Sequence, residues 1–214
     1  MSIPVLVIGE SGNGKSTSLR NLNPESTFLV QCLKKPLPFR AKGWKQATKE
    51  GGNVYQTDDV TKILTVMQRA PQDVIVIDDF QAMLTNTFMR RSAETGYQKY
   101  TDIGKSAWDV FNAASQLADT KRVYIMAHST TDETGFVRMR TVGKMVDQYV
   151  VPEGFFTIVL RARRVNDQYV FQTQTSGQDC CKSPIGMFSA DKIENDLNLV
   201  DQAICEFYEI SQPA

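Results

Sequence analysis

Over roughly the first 130 residues, short unbroken apolar runs alternate with segments whose apolar residues recur every three or four positions. Ile3 to Ile8 is a continuous apolar run, the pattern of a strand buried on both faces. The glycine-rich stretch GESGNGKST, Gly9 to Thr17, follows it and opens a helix at about Lys15 that should end between Asn21 and Pro24. Thr27 to Gln31 predicts a second strand and Asn53 to Gln56 a short third. Between them, 33–52 is rich in Lys, Pro and Gly and keeps neither period, so an excursion loop is expected. Asp58 to Ala70 sets Val60, Ile63, Leu64 and Met67 on one face of a helix. Asp73 to Asp78 (DVIVID) is the clearest buried strand, and helical patterns run over Phe80 to Thr95 and Ile103 to Thr120. Arg122 to Ala127 is a further apolar strand, ending at His128.

After His128 the rhythm changes. Phe155 to Arg163 and Gln168 to Gln174 flank Val165, Asn166 and Asp167, a turn, so 153–176 predicts an antiparallel hairpin. Asn195 or Asp196 can cap a last helix over 195–210, with Leu199, Ala203, Ile204 and Phe207 as its apolar face. The expectation for 1–214 is one α/β domain, a mostly parallel sheet flanked by helices and extended by a C-terminal antiparallel hairpin. Phe80 and Phe88, and Tyr97, Tyr100, Trp108 and Phe111 at helical spacing, read as core rather than as a stacking platform.

Charge changes this picture little. Lys plus Arg and Asp plus Glu both total 24, so no global field draws the chain to nucleic acid or a membrane, and any polyanion site must be a local patch. No apolar run reaches the roughly 18 residues a membrane span needs, and no basic leader precedes the first strand, so a cytoplasmic location is expected. Cys32, Cys180, Cys181 and Cys205 lack paired C-x-x-C spacing, which argues for reduced thiols and against a zinc site.

The chemistry begins at the first turn. Gly9, Gly14, Lys15 and Ser16 complete G-x-x-x-x-G-K-[ST], with a strand before and a helix after, and Ser11, Gly12 and Asn13 fill the loop between. In such a loop the backbone N–H groups surround phosphates, Lys15 reaches the β and γ phosphates, Ser16 offers its hydroxyl to Mg2+, and Thr17 is placed for the α phosphate. Asp78, at the end of a buried strand, is the second magnesium group. Asp79 is either the base that polarises the attacking water or a solvated helix cap. His128, the sole histidine, ends a strand and is either a γ-phosphate or water sensor or a satisfied polar residue.

Taken together, GESGNGKST, KKPLPF (Lys34 to Phe39), VIVIDDFQAML (Val74 to Leu84), MAHST (Met126 to Thr130), RTVGKM (Arg140 to Met145), EGFFTIVL (Glu153 to Leu160), KSPIGMF (Lys182 to Phe188) and ENDL (Glu194 to Leu197) resemble phage-encoded RecA-like AAA-domain P-loop ATPases, a group that includes single-strand annealing recombination proteins. The resemblance implies a RecA-like core that binds ATP and Mg2+, self-associates as a ring or filament, and works with single-stranded DNA in phage recombination or replication inside the bacterial host. Phage recombination or single-strand-binding proteins are the partners it implies. It carries Gly14, Lys15, Ser16 and Thr17 over as phosphate and magnesium contacts, Asp78 as the strand-end acid and His128 as the sensor. One departure stands out: no persuasive glutamate occupies the strand beside the magnesium aspartate, which leaves the general base unassigned.

Two cationic segments bear on DNA. Lys34, Lys35, Arg40, Lys42, Lys45 and Lys49 occur without an acid between Cys32 and Lys49, interleaved with Phe39 and Trp44, which suits either a single strand or a solvated loop around a packed Trp. Arg138, Arg140 and Lys144 form a second group, able to contact DNA, to reach a neighbouring protomer's γ phosphate, or simply to be solvated. Arg161, Arg163 and Arg164 read as a charged sheet edge. Two other functions remain open: a small-molecule or nucleoside P-loop kinase, and a non-hydrolysing module that uses the nucleotide as an assembly ligand.

Overall fold

The computed structural model describes residues 1–142 and 150–211. The apolar runs become β1 (Ile3–Gly9), β2 (Thr27–Gln31), β3 (Val54–Gln56), β4 (Val74–Asp78) and β5 (Arg122–Thr131), followed by β6 (Val137–Met139), β7 (Ile158–Val165), β8 (Gln168–Gln172) and β9 (Lys192–Glu194). They join in one sheet of order β3-β2-β4-β5-β1-β7-β8-β9, with β6 paired to β5. From β3 to β7 every neighbour is parallel, and β8, β9 and β6 pair antiparallel. The carboxyl ends of β1, β5, β4 and β2 therefore lie side by side, with β5 between β1 and β4.

The central strands are apolar throughout because both faces are covered. Leu6, Ile8, Ile75, Ile77, Val123 and Ile125 pack beneath α1 (Val60–Arg69), α2 (Phe80–Arg90) and α3 (Gln98–Ser115). Val5, Val7, Val74, Val76, Tyr124 and Met126 meet Leu19, Leu22 and α4 (Leu197–Phe207) on the other side. Among the described residues no helix is long and apolar enough to cross a membrane.

The α/β layering and the hairpin match expectation, and the hairpin turn is tight: Asn166 and Asp167 have φ of 48° and 64°, the left-handed pair that a two-residue turn requires. Other expectations need correction. The helix after the glycine-rich stretch is only a 3-10 turn, Ser16–Asn21. The expected 80–95 helix ends at Arg90, and α3 starts after Gly96, whose φ of 86° breaks the chain there. β5 runs past His128 because its polar end, Ser129 to Thr131, pairs with β6. Only Phe111 of the proposed aromatic stripe is in the core. Tyr97 is 88% exposed, Trp108 is exposed, and Tyr100 stacks on partly buried Phe88. In α4 the buried face is Leu197, Val200, Ile204 and Cys205, while Leu199 and Phe207 face solvent.

Candidate functional site

Gly9 closes β1 where β7 comes so near that a Cβ would lie 2.8 Å from the Ala162 carbonyl oxygen. Gly12 and Gly14 then take φ of 82° and 88°, turning the chain back across the strand ends. The N–H groups of Gly12, Gly14, Lys15 and Ser16 meet no acceptor among the described residues, so the turn presents a row of free donors. Ser11 and Gly12 are exposed, Asn13 is half-buried and its N–H reaches the Glu10 carbonyl at 3.4 Å.

Lys15 lies back along the loop, its ammonium donating to the carbonyls of Gly9 at 2.7 Å and Glu10 at 2.9 Å. Burial pushes it down to about 8, against the pull of Asp78 and Asp79. Ser16 donates from its hydroxyl to Asp78 Oδ2 at 2.9 Å, and half-buried Thr17 follows at the start of the 3-10 turn. Asp78 is 1% exposed and also accepts from the Asp79 N–H at 3.0 Å. Burial and the adjacent Asp79 push its carboxyl up to about 6, opposed by Lys35 and the Ser16 hydroxyl.

Asp79 is not a cap: its side chain makes no capping hydrogen bond to α2, and it is buried rather than solvated. Its φ of 55° is a left-handed conformation, rare outside glycine, found where surrounding structure holds strain at a functional turn. The carboxylate instead pairs with Lys35 Nζ at 2.5 Å and stands 3.9 Å from His128 Nε2. Burial and the nearby Lys15 hold the His128 imidazole below its usual range, so it is neutral at pH 7 and free to give or accept one hydrogen bond. Gln81 fixes that strand end: its side-chain oxygen accepts from His128 N–H at 2.7 Å, and its amide donates to the carbonyls of His128 and Arg140.

Lys15, Ser16, Asp78, Asp79 and His128 are thus gathered at the ends of three strands, as their places at or just after apolar runs lead one to expect in a parallel sheet. Lys35 joins them, whereas sequence grouped it with the DNA-contact set. Lys34, Arg40, Lys42 and Lys45 are exposed on the excursion loop with Lys49. Trp44 is half-buried, edge-on to Phe39 at 6.3 Å, and packs against the core. Arg138 is paired with Asp132 at 2.7 Å; Arg140 is exposed at the rim near His128, and Lys144 lies outside the described residues. Gln81 and Lys35 were missed as site residues because only the tertiary fold brings them to His128 and Asp79. No protein-family model matches this chain, and no curated protein matches it in sequence.

Proposed function

We propose that the chain is an Mg2+-dependent P-loop ATPase with a RecA-like core that acts with single-stranded DNA in phage recombination or replication. The observation that carries this reading is the 2.9 Å bond from the Ser16 hydroxyl to the Asp78 carboxylate. It joins a motif hydroxyl and a strand-end acid 62 residues apart, the two protein oxygens that a magnesium ion shared with phosphates requires. The oxygen donors suit that ion, and a buried acidic pair is a site that calls for a cation.

Ser16 and Asp78 would hold the ion, whose charge would offset the negative charge building on the transferred phosphoryl group. The free N–H groups of the turn hold the phosphate oxygens, and Lys15 swings from the Gly9 and Glu10 carbonyls to the β and γ phosphates. Asp79 then accepts a proton from the attacking water while neutral His128 orients it, once Lys35 has left Asp79. Exposed Lys34, Arg40, Lys42, Lys45 and Lys49 make the excursion loop a cationic surface for a single strand. The Lys35 to Asp79 ion pair also favours a second reading, in which the base stays blocked and the nucleotide serves as an assembly ligand.

ATP hydrolysis with and without single-stranded DNA is the test, with Lys15→Ala as the blank. Turnover should be stimulated by DNA and fall about 100-fold or more in Lys15→Ala, which loses the charge facing the phosphates. Bound ATP without turnover in either condition selects the assembly reading. Equal turnover in wild type and Lys15→Ala overturns the site.

A further inference from the structure

Thr17 and Arg20, just past the glycine-rich turn, border a cleft of about 660 Å3 whose other walls include Gln168, Tyr169, Lys192 and Asn195. Neither Lys15, Ser16 nor Asp78 lines it, so it adjoins the loop at the Thr17 end, away from the residues assigned to the β and γ phosphates. Its size is that of a pocket for a small organic ligand.

Two features mark it as a built site. Asn195 is 2% exposed, yet its side-chain Nδ2 has no hydrogen-bond partner among the described residues. A buried amide donor of this kind is ordinarily satisfied. The same amide is held against the loop, its Oδ1 only 3.0 Å from where a Cβ on Gly14 would lie. Tyr169 is 43% exposed while the edge of its ring, Cδ1, touches that same point at 3.0 Å. The hairpin fixes this ring: Tyr169 sits directly opposite Arg164 in the β7–β8 ladder, and the Arg164 guanidinium lies 5.8 Å from the ring centroid. An aromatic face held on a strand and an unsatisfied buried donor therefore meet beside the α-phosphate end of the loop.

We infer that this cleft takes the nucleoside half of the bound nucleoside triphosphate, with Tyr169 stacking on the base and the Asn195 amide turning out of its buried position to donate to the sugar. The inference rests on the phosphate-binding reading of the Gly9 to Thr17 loop. It also gives the C-terminal hairpin a role: β7 closes on Gly9, and β8 supplies the ring.

Binding of ATP and of inorganic tripolyphosphate, each with Mg2+, separates the two ideas. Tyr169 is a surface residue, so its replacement leaves the core unchanged. Tyr169→Ala should weaken ATP about tenfold, within the range of one lost base stack, and leave tripolyphosphate within about twofold; Tyr169→Phe should bind ATP nearly as wild type does. Unchanged ATP affinity in Tyr169→Ala, with Lys15→Ala losing both ligands, overturns the cleft and leaves the phosphate site standing. Equal loss of ATP and tripolyphosphate in Tyr169→Ala also overturns it, since the ring would then be supporting the loop rather than the base. Wild-type affinity for both ligands in Lys15→Ala overturns the phosphate site and this inference together.

Discussion

Asp78 is held where its own charge works against the fold. A carboxylate that is 1% exposed and adjoins a second one has its folded-state value raised from 3.8 to about 6. The folded protein thus keeps a proton that the unfolded chain releases between about pH 4 and pH 6, and this group's contribution to stability falls as pH rises through that window. Asp78→Asn removes the charge and keeps the shape. Without nucleotide or magnesium it should raise stability near pH 7.5 by up to about 3 kcal/mol, from two pH units at 1.36 kcal/mol each. The gain should vanish near pH 4, and turnover should be lost. Denaturant midpoints of both proteins at the two pH values check this. A lower midpoint for Asp78→Asn near pH 7.5 would mean that the carboxylate's bonds to Ser16 and the Asp79 N–H outweigh its desolvation. Lys15 follows the same logic with opposite sign: its value falls from 10.5 to about 8, so its burial weakens the fold below about pH 8, and stability returns as pH rises from about 8 to 10.5.

At the scale of elements, the 3-10 turn Ser16–Asn21 is too short to hold itself and is held by α4. Asp196 caps α4 by accepting from the Asn198 N–H at 2.9 Å and also accepts from the Asn21 side chain at 2.6 Å. Arg20 donates to the Asn195 carbonyl and pairs with Glu194 at 3.0 Å. Asp59 caps α1 in the same manner, through the Thr61 and Lys62 N–H groups, and among the described residues it makes no hydrogen bond to the glycine-rich turn. Asp59→Ala and Asp196→Ala should each cost about 1 kcal/mol of stability as lost caps. Only Asp196→Ala should also weaken nucleotide binding, by several-fold; equal affinities in the two variants would show that the turn does not depend on α4. Both helices were legible as segments, though the apolar face read for α4 took in Leu199 and Phe207, which are exposed, and the glycine-rich turn was legible as a contiguous motif. The 3-10 form was not, because tertiary packing on α4 rather than local propensity holds Ser16–Asn21. β6 (VRM) and β9 (KIE) were not, because each mixes charged with apolar residues over only three positions, whereas the equally short β3 (VYQ) carries no charge. The contacts of Lys35 with Asp79, Gln81 with His128 and Tyr169 with Gly14 were hidden for a different reason: each pair is far apart in sequence, and no spacing rule reaches that far.

Across the whole molecule, 24 cations balance 24 acids, so attraction to a polyanion must come from a local region. The excursion loop is the region proposed for it, and the fold changes what it can offer. Phe39 and Trp44 are turned edge-on to each other against the core, so base stacking on Trp44 is not the main source of affinity. Lys35 is engaged by Asp79, and the exposed cations that remain are Lys34, Arg40, Lys42, Lys45 and Lys49. Binding to a single strand should therefore be dominated by phosphates, with little preference for sequence. If all five reach phosphates, the logarithm of affinity should fall with the logarithm of salt at a slope of about −3.5, from about −0.7 per phosphate. Lys42→Gln with Lys45→Gln should reduce that slope by about 1.4, whereas Trp44→Leu should leave it unchanged. A salt titration of single-strand affinity on the three proteins decides the matter. A flat wild-type response, or a slope indifferent to Lys42 and Lys45, removes the loop as the DNA surface. A strong loss of affinity in Trp44→Leu at constant slope would instead show that the aromatic pair opens to stack on bases when DNA binds.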